Sequence, residues 1–342
     1  MENVYQYGAI HMFTDFSYFE ATFVKMFQES VEMVLYEFMV QLLEAGPEWF
    51  EVVLKAQTGV NVCCFKDFII WVIATRMSGE MCTSLGNGFA NLMVNKYLCK
   101  QLKWRSFKAA VEGDDGCFSF FGKPPSQEDY AQFGMVIKMM VTDDITAGAF
   151  CGVICDPEDY INVTDPINAL LKFGWTSRQY TFAKHRKLME LLRAKALSML
   201  YQYTGCPILY ALARYAERMT AGYHWRLPSS SNVFEFQRMK EIVEKFNSGL
   251  PFVETGFRTR LLVERKYGIP IEHQFTIEDY FNQKQELGEI MCPLILRYCP
   301  KDAIDYVNRY AFPIVNGFGS VIGSSYQRTN KINSILLFDA KK

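Results

Sequence analysis

The sequence predicts an α+β protein: an antiparallel sheet with flanking helices in the first half, then a mostly helical second half. Three observations carry that expectation. Up to Ile154, short runs of Val, Ile, Phe and Cys bounded by Gly, Asp and Ser read as strands. Beyond Asp165-Pro166, apolar residues recur at helical spacing, broken by Gly and Pro. Apolar residues make up 50% and aromatic residues 15% of the 342, enough for a real core and too many for a disordered chain. The change of character places a boundary near residue 165, between segments 1–165 and 166–342.

The elements follow in order. Ala9 to Phe13 is a short apolar strand running into Thr14-Asp15-Phe16-Ser17, so a carboxylate stands at its end. Phe27, Val31, Val34, Leu35, Phe38 and Leu42 keep helical spacing until Gly46-Pro47 stops the helix. Residues 49–76 suggest a hairpin around Thr58-Gly59. A small-residue stretch, Ser78 to Gly88, feeds a helix marked by Phe89, Leu92, Met93, Lys96 and Tyr97. Phe107 to Val111 and Cys117 to Phe121 read as strands joined through Glu112-Gly113-Asp114-Asp115-Gly116, the chemistry of a tight turn. Ser126-Gln127-Glu128-Asp129 opens a capped helix running to about Met140, and Ala149 to Ile154 is a further strand. Ala196 to Ala213 is long and uncharged, but Gln202, Thr204, Gly205 and Pro207 interrupt it. Two buried helices with a turn at Gly205-Cys206-Pro207 are expected there, and no membrane span.

Several classes fall away. Ten cysteines without a CxxC, and only four histidines, read as reduced core residues rather than a disulfide scaffold or zinc site. That usage suits a cytosolic compartment, and Met1 to Ile10 has no secretory signal. A net charge of −1 excludes a strongly basic chain and, alone, argues against a nucleic-acid binder.

Three segments carry chemistry. Asp114 and Asp115 are adjacent acids at a hairpin tip, and like charges that close repel unless a cation neutralises them. Mg²⁺, which takes carboxylate oxygens, is the natural candidate; a solvated Asp-Gly turn is the plain alternative. Asp15 ends another apolar strand, with Glu20 five residues on. Strand-end acids from neighbouring strands can share an ion pair for phosphoryl transfer, or Asp15 can simply favour the dipole of a following helix. The third segment, Arg76-Met77-Ser78-Gly79-Glu80-Met81-Cys82-Thr83-Ser84-Leu85-Gly86-Asn87, is a Ser-Gly loop leading into a helix. Thr83 and Asn87 lie on one face there, able to bond sugar hydroxyls or merely to pack as small residues.

In order, spacing and residue type, these segments resemble the palm of a viral RNA-dependent RNA polymerase. Thr14 to Glu20 looks like motif A, Arg76 to Asn87 like motif B, and Gly113-Asp114-Asp115 like motif C. A bare Gly-Asp-Asp is a weak signal; Ser-Gly-x3-Thr-x3-Asn upstream of it, with an acidic strand end before both, is a strong one. The style is closest to tombus-like, noda-like and flavi-like positive-strand RNA viruses. Phe133-Gly134 with Lys138 is similar to motif D, and Phe150-Cys151-Gly152 to the motif E primer grip. The motif-level similarity covers residues 13–152.

The resemblance implies a right-hand palm over 1–165 and a helical thumb over 166–342, with the fingers largely absent. It makes Asp15 and Asp114 the principal Mg²⁺ ligands, Mn²⁺ being the alternative ion, and Asp115 a lesser or adjacent one. Glu20 would help read the ribose 2′-hydroxyl with Asn87 and Thr83. Ser78 and Gly79 would form a mobile loop sensing template and nucleotide. Lys138 would protonate leaving pyrophosphate, and Phe150, Cys151 and Gly152 would hold the primer backbone. The implied partners are RNA template and primer, ribonucleoside triphosphates, and upstream fingers sequence or other viral replication proteins. The implied location is host cytoplasm, at membrane-associated replication complexes.

This chain departs from the pattern at Glu20, where many relatives carry Asp, and in having only fourteen residues before Asp15. A reverse transcriptase would usually show an aromatic-x-Asp-Asp motif and a bulky steric gate near Glu20. A non-catalytic RNA-binding scaffold would not need the intact acidic set, and a metal nuclease of unrelated fold would not need Gly79. The basic clusters Lys184-His185-Arg186-Lys187 and Arg258 to Lys266 read as solvated faces or as template-phosphate contacts. Tyr201, Tyr203, Tyr210 and Trp225 read as core more readily than as base-stacking platforms.

Overall fold

The structure is a computed structural model describing residues 3–77, 79–80, 82–176, 178–180, 183–249, 253–288, 290, 292–303, 305, 311–313 and 338–340. The chain divides into two compact units, Met1–Pro157 and Glu158–Lys342.

The first unit opens with strand β1 (Ile10–Ser17) and a single 3₁₀ turn at Phe19–Thr22. Helices α1 (Lys25–Ser30), α2 (Glu32–Val40) and α3 (Gly46–Thr58) follow. Gly46-Pro47 therefore does more than stop a helix. Proline at the first turn costs no hydrogen bond and presets φ, so the pair starts α3 as well. The hairpin moves accordingly: strands β2 (Val60–Cys64) and β3 (Ile69–Ile73) turn at Phe65 to Phe68, not at Thr58-Gly59. Trp71, Ile73, Val60 and Val62 all lie exposed and, as cross-strand partners, form an apolar stripe on one face of this two-stranded ribbon.

Helix α4 (Thr83–Gln101) follows, then β4 (Arg105–Glu112) and β5 (Asp115–Phe121). The capping box at Ser126 and Asp129 forms as expected, but its helix α5 (Gln127–Ala131) is short. Gly134 adopts φ +73 and reverses the chain into strand β6 (Val136–Thr142). Its β-branched and apolar run prefers a pleated surface, so Lys138 sits on a strand rather than on the expected helix. Ala149 to Ile154 is not a regular strand either. Phe150 and Val153 exchange both backbone hydrogen bonds at 3.0 Å around Cys151 and Gly152, at φ 51 and 71. That is a two-residue turn with left-handed backbone at both central positions.

The four long strands form one antiparallel sheet in the order β4-β5-β1-β6. Met12 and Phe16 of β1 and Phe118 and Phe120 of β5 project to one face, joining Val94, Leu98 and Tyr130 in the main core. Phe13 and Cys117 project to the other face with Val4 and Ile145. Side chains alternate along a strand, so Asp15 shares the face of Phe13, and Asp115 that of Cys117.

The second unit is helical: α6 (Pro166–Lys172), α7 (His185–Gln202), α8 (Leu209–Met219), α9 (Val233–Asn247), α10 (Phe257–Tyr267), α11 (Ile271–Gln283) and α12 (Pro293–Tyr298). Three short strands, β7 (Trp175–Thr176), β8 (Ala311–Pro313) and β9 (Phe338–Ala340), pair in a small sheet. The uncharged stretch resolves as expected into buried faces of α7 and α8, with Gly205 at φ +75 in the turn. Among the described residues no helix is long and apolar enough to cross a membrane. The basic clusters are partly consumed by structure. Arg260 pairs bidentately with Glu278 at 2.9 and 3.0 Å, Arg258 pairs with Glu158, and Arg186 with Glu190.

Candidate active site

The sheet register brings the predicted acids together. Glu112 pairs with Asp115 across β4 and β5, flanking the turn residues Gly113 and Asp114. Gly113 sits at φ +59, the left-handed backbone that such a turn needs at its first central residue. The turn is thus tighter than the five-residue segment expected. On the other side of β5, Thr14 pairs with Gly116, so one step further along Asp15 comes level with Asp115. Asp15 in turn pairs with Lys138 of β6. Glu112, Asp115, Asp15 and Lys138 therefore form one transverse row across four strands.

The electrostatics match that placement. Burial, then the charges of Asp114 and Asp15, push the Asp115 carboxyl above the ordinary carboxylate range, with a hydrogen bond from Cys151 opposing. Burial first, then Asp115, Glu112 and Asp114, push the Cys151 thiol up to about 11. The Phe150-Cys151-Gly152 turn therefore sits against the acidic row. Lys138 Nζ lies 3.8 Å from Asp15, with both side chains largely exposed, so this pair adds little stability.

The Ser-Gly loop is anchored where it begins. Arg76 makes a fully buried ion pair with Glu32 of α2, stacks over Phe23 at 4.8 Å, and reaches Glu80 at 3.4 Å. Gly86 is required beside this pair, since a Cβ there would lie 2.2 Å from Glu32 Oε1. Ser78 lies outside the described residues. A Cβ on Gly79 would meet nothing within 4 Å, so that position is open. Thr83 donates its hydroxyl to the carbonyls of Glu80 (2.9 Å) and Met77 (3.3 Å), closing the loop onto α4.

Asn87 Nδ2 donates to Glu20 Oε1 at 3.3 Å, joining the two residues that sequence reasoning paired. A carboxylate can only accept, so the amide nitrogen must face Glu20. That leaves Asn87 Oδ1 buried without a hydrogen-bond partner.

Residues 15–196, more than half of the chain, match the family described as RNA dependent RNA polymerase. The chain belongs to that family. No curated protein matches it. Among solved structures, the RNA-dependent RNA polymerase of a human picorbirnavirus is similar at 13% identity and TM-score 0.51. That likeness covers 83% of this chain and 53% of the other. The insertion loop deletion mutant of such an enzyme is similar at 14% identity and TM-score 0.40, covering 77% and 43%. The chain thus spans about half the length of the solved polymerases it matches. The expected fold, an antiparallel sheet with flanking helices followed by a helical unit, is that of this polymerase class.

Sequence reasoning missed two residues of the candidate site, Glu112 and Asn91, and the contact made by a third, Cys151. Glu112 accepts from Ser84 Oγ at 2.7 Å and lies next to Asp115 in the row. Cys151 proves to touch Asp115, which only the folded chain can show. Asn91 Nδ2 lies within bonding reach of the Gly113, Asp114 and Asp115 carbonyls. Its signal was present: Asn87, Asn91 and Asn95 recur every four residues on a helix otherwise committed to the core.

Proposed function

We propose that this chain carries the palm and thumb of a viral RNA-directed RNA polymerase, units Met1–Pro157 and Glu158–Lys342 respectively. It would add ribonucleotides to an RNA 3′ end by two-Mg²⁺ phosphoryl transfer. The observation that supports the reading is that Asp15 comes level with Asp115 on one sheet face, with Asp114 in the adjoining turn and the charges of both acting on Asp115.

The donor chemistry fits Mg²⁺: carboxylate oxygens, with burial and then the charges of Asp114 and Asp15 raising the Asp115 carboxyl. Among the described residues no three acid, His or Cys side chains close on one point. Asp15 and Asp114, with Asp115, are the residues that would hold Mg²⁺ or Mn²⁺. Bound there, it would neutralise the triphosphate and activate the attacking 3′-hydroxyl.

The rest belongs to the chain's own side chains. The orphaned Asn87 Oδ1 is an acceptor waiting for a hydroxyl donor, and the Asn87–Glu20 pair would read the ribose 2′-hydroxyl. The loop through Ser78 and Gly79 would close on template and nucleotide, with Thr83 as its hinge to α4. Lys138 Nζ would give its proton to the leaving pyrophosphate. Phe150, Cys151 and Gly152 would hold the primer backbone beside Asp115. The motif forms support kinship with positive-strand RNA virus enzymes of tombus-like, noda-like and flavi-like type. Such an enzyme would work with other replication proteins on host cytoplasmic membranes. The family match and the Glu20–Asn87 pair favour this reading over reverse transcription.

The test is Mg²⁺-dependent primer extension on an RNA template, by this chain alone and by a longer protein in which upstream fingers sequence is joined to it. Incorporation by the longer protein supports the reading. RNA binding without incorporation in both refutes it.

A further inference from the structure

The Gly113–Asp115 turn is not held by its own strands alone. Asn91, one turn beyond Asn87 on α4, places a single amide nitrogen 3.4, 3.0 and 3.3 Å from the carbonyls of Gly113, Asp114 and Asp115. Three successive carbonyls share one donor group. Helix and turn lie in van der Waals range of each other: a Cβ at Gly88 would stand 3.4 Å from the Gly113 nitrogen.

Asn91 is held in that orientation by a buried ladder behind it. Tyr130 donates its hydroxyl to Asn95 Oδ1 at 2.6 Å. Asn95 then offers its nitrogen to Asn91, 2.9 Å from the backbone carbonyl and 3.0 Å from Oδ1. The backbone carbonyls of Gly113, Asp114, Asp115 and Asn91 can only accept, so they set one polarity for the whole ladder, and the Tyr130 hydroxyl donates to the acceptor left at its end. Asn91, Asn95 and Tyr130 are all 0% exposed, so water cannot replace a missing rung.

We propose that Asn91, oriented by Asn95 and Tyr130, is a positioning residue that fixes the Gly113-Asp114-Asp115 backbone so that its carboxylates face Asp15 in metal-binding geometry. The inference rests on the polymerase reading and adds to it a residue that touches neither metal nor nucleotide. A buried partner behind a metal ligand typically changes affinity about 10–100-fold when removed. A merely structural role for Asn91 would lower thermal stability and leave metal affinity in the folded protein unchanged.

The experiment is Mn²⁺ binding to the full chain, followed by electron paramagnetic resonance well below the melting temperature. Wild type, Asp114→Asn, Asn91→Leu and Tyr130→Phe are compared. Asn91→Leu should weaken Mn²⁺ binding about tenfold or more. Tyr130→Phe, which removes one hydroxyl at the far end, should weaken it roughly threefold. Unchanged affinity in folded Asn91→Leu, with affinity lost in Asp114→Asn, overturns the inference and spares the polymerase reading. If Asn91→Leu does not fold, Tyr130→Phe decides, and unchanged affinity there overturns it equally. Equal binding by wild type and Asp114→Asn refutes the polymerase reading itself, and the inference falls with it.

Discussion

Glu32→Gln removes the charge that partners Arg76 at the root of the Ser-Gly loop. Both side chains are 0% exposed, so the guanidinium left behind has no solvent to turn to. It keeps Glu80 at 3.4 Å and the Phe23 ring at 4.8 Å, while Tyr36 loses a charged acceptor. Breaking a buried pair by removing one partner costs about 3–5 kcal/mol, and the retained contacts place this case near 3. For a unit of this size that is a fall in Tm of about 6–12 °C. Thermal unfolding by far-UV circular dichroism reads the shift directly. The control is Glu32→Met with Arg76→Met, which removes both charges and fills the space with apolar atoms. Such replacements of a buried pair are neutral or stabilising by about 1–4 kcal/mol, so the double variant should recover most of the loss. A single variant within about 1 kcal/mol of wild type, or a double variant as unstable as the single, would refute the reasoning.

Other perturbations follow from the same contacts. Asp114→Asn should abolish nucleotide addition while RNA binding persists, checked by primer extension beside a gel-shift assay. Glu20→Ala or Asn87→Ala should relax the preference for ribo- over deoxyribonucleotides by up to about tenfold, the worth of one charged hydrogen bond, and equal losses for both substrates would count against the ribose role. Glu190 is held below its ordinary value of 4.5 by the hydrogen bond from Arg226, then by Arg186. The stability this confers is present above pH 4.5 and is lost as the pH falls through the lower folded value. Glu190→Gln should therefore lower Tm at pH 7, and the difference should close in acid. Gly148→Ala would set a Cβ 2.1 Å from the Phe13 ring, and overpacking of that kind costs about 1–3 kcal/mol in urea unfolding.

The site was more legible in the sequence than the path of the chain around it. Asp15, Asp114 and Asp115 could be placed because strand ends and a Gly-Asp-Asp turn leave few backbone alternatives. Thr83 and Asn87 could be put on one face because helical spacing fixes it, whereas Glu20 was joined to Asn87 only by the family resemblance. Lys138 was assigned to a helix because the capping box at Ser126 marks a start but not an end. Only the left-handed Gly134 and the β-branched run after it stop the helix at Ala131. Gly46-Pro47 misled for a related reason: proline is as good a first residue as it is a terminator. Asn91 was missed because a polar residue on an apolar helix announces a buried partner without saying which. The −1 charge of the whole chain proved uninformative, since three of its acids are drawn into one row with a single lysine beside them.

Strand β1 is hydrogen-bonded along both edges, to β5 on one side and β6 on the other. Its side chains alternate between a hydrophobic interior and the face that carries Asp15. Loss or gain of one residue anywhere between Ile10 and Asp15 would rotate every later side chain by half a turn. The carboxylate would be driven under the helices and Phe16 onto the reacting face. Change in this stretch can therefore proceed only by exchange of residues and never by change of length. The loop at 122–125, outside the strand ladder, is where replication errors that add or drop a codon can be absorbed.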